Sequence, residues 1–355
     1  MDPITHAFLG AAVALTTLPV FRPAALGQDQ ARGATGEPSA WRIGWKLALL
    51  GAAAGTLADA DVFFRVWSDP ALPWEVHRQL THALAFAPVG GLIALLPFVL
   101  FRFWREHLKP AAAAAILAYA SHGLLDACTS YGTSLWLPFS KSRSAWDLIA
   151  IIDPVFSVCL VIGVILAARR ARPAPAFCAL LLGAAYLGLG ARQHAVAMHE
   201  IARRAAERGD AIERARALPT PANLVIWRGL YVSEGRIHAD GVRVPILGAA
   251  RWRPGTSVPL FQAGAPGTAA DAREARIADV EARFQRFADG FAARDPQQPE
   301  VLADMRYSLE VAAFAPLWGI RIRDDHEGDP VSWVDLTDTD ERASVRNIWR
   351  DLRQR

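Results

Sequence analysis

Cysteine is scarce: Cys128, Cys159 and Cys178 are the only three in 355 residues, all in apolar surroundings and none in a CxxC pair. That excludes a disulfide framework and a thiolate zinc site. A charge excess of one sign is missing as well. The 38 Lys and Arg stand against 35 Asp and Glu, a net +3, without the basic stripe that nucleic acid demands, so nucleic acid is excluded as a partner. Charged residues of both signs amount to 21%, whereas 52% are apolar, with 12 Trp and 26 Gly. This composition rules out disorder and fibrous repeats and admits a membrane protein. The shortage of charge is uneven: residues 1–192 hold 15 basic and 11 acidic side chains, and residues 193–355 hold 23 and 24. The chain therefore reads as an apolar domain, 1–192, and a domain of soluble character, 193–355.

A membrane-crossing helix needs about 20 mostly apolar residues. Six windows approach that length, near 4–21, 47–64, 82–101, 111–128, 149–168 and 174–191. They predict an all-α polytopic bundle of about six transmembrane helices, followed by a small α+β soluble domain. The first window opens Met1-Asp2-Pro3 with no basic leader, which favours a retained helix over a signal peptide. Gly51 and Gly55 form a small-xxx-small pair that lets a neighbouring helix approach closely. Lys and Arg number ten in the connections after the first, third and fifth windows and four after the second and fourth. The asymmetry predicts an extracytoplasmic C-terminal domain.

Ionisable residues in or at the mouth of apolar helices are costly and read as functional. Here they are His6, Asp59, Asp61, His77, His82, His122, Asp126 and Asp153, and the six-window topology puts all eight at one membrane level. His122 and Asp126, four apart, share a helix face at about 5–6 Å between Cβ atoms, a spacing suited to two ligands of one ion. Asp59 and Asp61 diverge on a regular helix, so either the helix unwinds there or one of the two supports a ligand rather than being one. Asp153, followed by Pro154, equally suits a helix cap. Lone histidines such as His6 are more often packed than ligating.

Imidazole and carboxylate donors without thiolate suit Zn²⁺, Mn²⁺ or Fe²⁺ better than Ca²⁺. Eight candidates would serve one ion with supporting groups, or two ions that activate water in phosphoester hydrolysis. Zinc or manganese is the expected cofactor. Asp61 and Arg78 are the expected catalytic residues, Arg78 meeting an anionic substrate group; Lys141 and Arg143 suit either the same phosphate contact or solvated loop charges equally. Thr81, Ser121 and Thr129 read as supporting or capping hydroxyls.

Met1-Asp2-Pro3-Ile4-Thr5-His6, Asp59-Ala60-Asp61, His77-Arg78-Gln79-Leu80-Thr81-His82, Ser121-His122-Gly123-Leu124-Leu125-Asp126 and Thr129-Ser130-Tyr131-Gly132-Thr133 together resemble the YdjM/YfhP family of membrane-bound proteins regarded as metal-dependent hydrolases. The resemblance covers about residues 1–168. It implies an inner-membrane protein with hydrolase activity and names no substrate; membrane lipids and a small-molecule or lipid substrate are the expected partners. Ala58 stands where the family often has Pro before the first Asp. The competing functions are a metal-ion or proton transporter and a membrane scaffold or sensor.

Beyond 193, alternation in 223–232 and 236–245 predicts two strands with a turn near 233–235. Helices are expected near 194–217, 270–294 and 338–353, the last capped by Asp338, and strands near 304–323 and 330–336. Segment 254–268 reads as a loop. His238 and Asp240 read as a turn rather than a metal site.

Overall fold

The computed structural model describes residues 1–21, 40–63, 75–264, 271–308, 310–323 and 329–337. The chain divides into two compact units: Met1–Phe64 with Val76–Leu189, and Arg65–Glu75 with Gly190–Arg355.

The first unit is helical. It contains α1 (Pro3–Thr16), α2 (Ala40–Thr56), α3 (Ala87–Leu95), α4 (Arg102–Glu106), α5 (Leu108–Ala127), α6 (Pro154–Arg170) and the first half of α7 (Ala174–Arg208). Helix α1 starts where Asp2 accepts from the Thr5 N–H and Pro3 needs no donor partner. Helix α6 starts the same way, on Asp153 and Pro154. The core gathers Leu15, Phe21, Leu47, Leu50, Leu95, Trp104, Ile149 and Leu160. Gly10, Gly51 and Gly55 let α1 and α2 cross at backbone contact: a Cβ on Gly51 would meet the Gly10 carbonyl oxygen at 2.3 Å, and one on Gly55 the His6 carbonyl at 2.6 Å.

The all-α bundle of six transmembrane helices is not what forms. Among the described residues one helix, Ala174–Arg208, is long and apolar enough to cross a membrane. Window hydropathy counts apolar side chains but not helix breaks. The third window splits into single 3₁₀ turns around the nine-residue α3, because Pro88 opens that helix and Pro97 cannot continue it. Helix α1 has 14 residues and α2 has 17 before the chain tightens into a 3₁₀ segment, Leu57–Phe63. Helix α5 has 20 residues, but eight are alanine and it falls short in apolarity. The ten-to-four Lys/Arg count loses its meaning with those loops, and with it the outward placement of the C-terminal domain.

The second unit holds two four-stranded antiparallel sheets. The first is β1 (Arg214–Pro219), β2 (Ile226–Ser233), β3 (Arg236–Arg243) and β4 (Arg251–Pro259), and the second is β5 (Ala292–Arg294), β6 (Val301–Asp304), β7 (Trp318–Ile322) and β8 (Val331–Asp335), each in chain order. Helix α8 (Ala272–Phe287), capped by Asp271, separates them in sequence. Strand β2 is buried throughout because both of its faces are covered. Leu230 and Val232 pack with Phe291, Ala293 and Met305, while Trp227 and Tyr231 pack with Ala197, Ile201 and Ala205 of α7.

Several local expectations change here: His238 and Asp240 lie within β3 rather than in a turn, and 304–323 is strand only at Asp304 and Trp318–Ile322. Residues 194–208 belong to α7 and 214–219 form β1. The expected helix to 294 stops at Phe287, and β5 follows. The loop expected at 254–268 is strand up to Pro259; Pro254 is accommodated because β4 is the edge of its sheet. The helix expected at 338–353 lies outside the described residues.

Candidate metal centre

Four segments meet at the C-terminal end of α5. His122 and Asp126 lie one turn apart on that helix and are wholly buried. Asp59 comes from the 3₁₀ segment after α2, and His82 from a single 3₁₀ turn, Leu80–His82. The Asp59 Oδ1 is 3.3 Å from Nε2 of His82 and 3.3 Å from Nε2 of His122; the Asp126 Oδ2 is 3.4 Å and 3.5 Å from the same nitrogens. Donors bound at about 2.0–2.2 Å to a tetrahedral ion lie about 3.3–3.6 Å apart. The four imidazole–carboxylate separations thus already match such a shell, and one donor atom from each of the four residues lies within 4.8 Å of the others.

The remaining atoms of these side chains are turned outward and held. His122 Nδ1 lies 2.6 Å from the carbonyl of Gly55, one of the last carbonyls of α2, which lack helical partners. That bond uses the Nδ1 proton and turns Nε2 toward the cluster; burial lowers the ring's pKa, but Asp126 and Asp59 together push it up to about 9, so an ion bound at Nε2 takes the place of a proton. His82 Nδ1 lies 3.0 Å from Thr81 Oγ1 and 3.4 Å from Asp61 Oδ2. Burial, above all, pushes His82 down to about 4, so its ring is neutral at neutral pH. His122 Nε2 and Asp126 Oδ2 are buried without a hydrogen bond, the second offset by the Arg78 guanidinium at 3.2 Å, and a bound cation would satisfy both. The donor set, two imidazoles and two carboxylates, fits a divalent ion of the zinc type.

Asp61 supports rather than joins this shell. Its Oδ1 meets His77 Nδ1 at 2.8 Å, and its Oδ2 accepts from the Thr81 hydroxyl at 2.8 Å. Burial would raise its pKa, but the hydrogen bonds from His77 and Thr81 and the nearby charges of His77 and His82 together outweigh burial and hold the carboxyl below its ordinary value. Asp59 is lowered too, its contacts with His122 and His82 outweighing burial. The 3₁₀ turn therefore resolves the Asp59/Asp61 spacing: one carboxylate faces His82 and His122, the other faces His77 and Thr81. Asp61, His77 and His82 also form a second cluster of candidate donors.

His6 lies beside the four donors. Its ring stacks on His122 with centroids 3.6 Å apart, and its Nε2 is 3.1 Å from Asp126 Oδ1, which the Met1 amino nitrogen also contacts. Arg78 is buried, its Nε 3.2 Å from Asp126 Oδ2 and its Nη1 donating to Thr129 Oγ1 at 3.0 Å. Glu75, three residues before Arg78, meets Arg283 of α8, within the second unit. Asp153 stands apart: one oxygen caps α6 and the other accepts from Tyr186 at 2.8 Å. Arg143 donates to the Gly132 carbonyl and lies over Tyr131.

Backbone contacts missed by motif reading hold the site in shape. Arg78 sits at φ 64°, a strained conformation for a long side chain. It is pinned by Ser134 N–H donating to its carbonyl at 2.9 Å, and Leu84 N–H donates to Leu135 O at 3.0 Å. The segment after Thr129-Ser130-Tyr131-Gly132-Thr133 thus clamps both ends of the HRxxTH stretch. Gly123 lets α5 approach it: a Cβ there would meet the His82 carbonyl oxygen at 2.2 Å. A glycine between His122 and Asp126 was the available signal.

The sequence model of the YdjM inner membrane protein family matches residues 1–197. No curated protein matches the chain, and no solved structure does.

Proposed function

The chain belongs to the YdjM inner membrane protein family, whose match covers more than half its length, and from that premise we propose that it is a membrane-bound metal-dependent hydrolase acting on a phosphoester or lipid head group. The observation carrying this reading is the set of four donors, each imidazole nitrogen 3.3–3.5 Å from both carboxylates, with both imidazoles oriented from behind. One ion is favoured over two. Filling both donor clusters would use both nitrogens of His82, and a neutral imidazole has a single lone pair.

Asp59, His82, His122 and Asp126 would hold a divalent ion, which would supply a Lewis acid and acidify water at the site. Asp59 is the ligand with solvent access, 24% exposed against zero for the other three side chains, so substrate and water reach the site on its side. Asp61 orients His77, which retains solvent contact and is positioned to pass protons to water. Arg78 balances the charge of Asp126. Hydrolysis adds water across the P–O bond, with hydroxide joining phosphorus and a proton leaving on the alcohol.

The test is metal analysis of the purified protein together with phosphate release from mixed phospholipids, before and after chelation. Protein that carries a divalent ion and loses turnover on chelation supports the reading. Protein that binds no Zn²⁺ or Mn²⁺ overturns it.

A further inference from the structure

The second unit carries an apolar feature that its own core does not use. Strand β3 runs into residues 244–250, where the Val244 N–H donates to Val225 O at 2.7 Å and Gly248 turns the chain at φ 106°. At the tip, Ile246 and Leu247 are 58% and 89% exposed. On the far side of the turn, Arg251 and Arg253 are exposed on β4. Trp252 lies between them, its ring 5.0 Å and 4.6 Å from the guanidinium carbons of Arg204 and Arg208 on α7. An apolar tip followed by exposed arginines has the chemistry of a membrane-interface contact, while Trp252 packs on the unit's own core.

An independent observation fixes its level. Buried Gln193 of α7 donates from Nε2 to Val244 O at 2.7 Å and to Leu224 O at 3.2 Å. Gln193 follows directly on the apolar stretch 174–191 of the one described helix able to cross a membrane. The turn is therefore bonded to α7 where that helix changes from apolar to polar. A bilayer spanned by 174–191 brings Gln193 to head-group depth, and Ile246 and Leu247 follow Val244 by two and three residues.

We propose that the β3–β4 turn is a second membrane contact: Ile246 and Leu247 enter the interface of an anionic bilayer beside α7, and Arg251 and Arg253 meet lipid phosphates. This goes beyond the hydrolase reading and does not depend on the metal. The experiment uses the full chain with Cys128, Cys159 and Cys178 replaced by alanine. Single cysteines, Leu247→Cys, Leu182→Cys in the apolar part of α7 and Glu234→Cys at the β2–β3 turn, carry an environment-sensitive fluorophore. The protein is reconstituted in phosphatidylethanolamine vesicles containing phosphatidylglycerol. The expected result is quenching of the 247 and 182 probes by nitroxide-labelled lipid, with the 234 probe quenched by aqueous iodide. Arg251→Gln with Arg253→Gln, or phosphatidylcholine in place of phosphatidylglycerol, should weaken lipid quenching at 247 severalfold. A 247 probe open to iodide and untouched by lipid quencher overturns the proposal, as does a 182 probe out of reach of lipid. Protection of the 247 probe from both quenchers marks contact between copies of the chain and overturns it equally.

Discussion

Each imidazole at the centre has two nitrogens, and the partner of one decides what the other is free to do. His122 and His82 are held from behind by Gly55 O and by Thr81 with Asp61, so both present Nε2 to Asp59 and Asp126. His122→Ala or His82→Ala should abolish stoichiometric metal in folded protein, as measured by elemental analysis. His6→Ala, removing a group that only touches Asp126 and His122, should weaken metal affinity by about 10–100-fold. Asp153→Ala should leave metal content intact and lower stability by about 0.5–2 kcal/mol through loss of the α6 cap; metal loss in that variant would return Asp153 to the site. The metal-free protein should also be acid-sensitive in a defined window. His82 is pushed from 6.5 to about 4 by burial, so the unfolded chain takes up this proton first. Its contribution is full above pH 6.5 and is lost as pH falls toward 4. Asp59 and Asp61, lowered from 3.8, lose theirs at still lower pH. A thermal midpoint that stays constant from pH 6.5 to 4 would contradict a neutral buried His82. The His and Asp candidates could be read from the sequence, but their division of labour could not. The partner that orients His122 is a backbone carbonyl 67 residues away, invisible to any motif.

At the scale of elements, the centre depends on how closely backbones approach. Helix α5 reaches the HRxxTH segment only because Gly123 has no side chain. Gly123→Ala should drive His82 away from His122 and reduce metal affinity at least tenfold while helix content persists; cobalt absorption against circular dichroism measures the two separately. Unchanged cobalt affinity would mean that the segment can shift without cost. The small-residue crossing at Gly51 and Gly55 was readable in advance, since a spacing of four places both on one helix face. The boundaries of α3 were not: Pro88 and Pro97 break a hydrophobic run that a window average treats as continuous. Strand β4 was obscured in the opposite sense, because Pro254 and Gly255 look like loop residues yet fit an edge strand.

For the whole molecule, composition divided an apolar first part from a charged second part, and alternation identified β2 and β3. The number of crossings was misread because a hydropathy window averages over the proline breaks and short helices that interrupt the apolar runs. Metal binding by the native state alone should raise the unfolding temperature with metal concentration, by about 2.7 kcal/mol of stability at a hundredfold excess over Kd; a midpoint insensitive to added Zn²⁺ and Mn²⁺ would deny the centre any native-state preference. Helix α7 carries a different consequence. Compact units normally meet at an exposed linker, but here the division after Leu189 falls inside the unbroken helix Ala174–Arg208. A protease needs several residues of unfolded chain to cut, and this junction provides none. Limited digestion of the native protein should therefore release no stable fragment ending between 174 and 208, and a truncation at 189 should expose the cut end of a helix rather than liberate a self-contained piece.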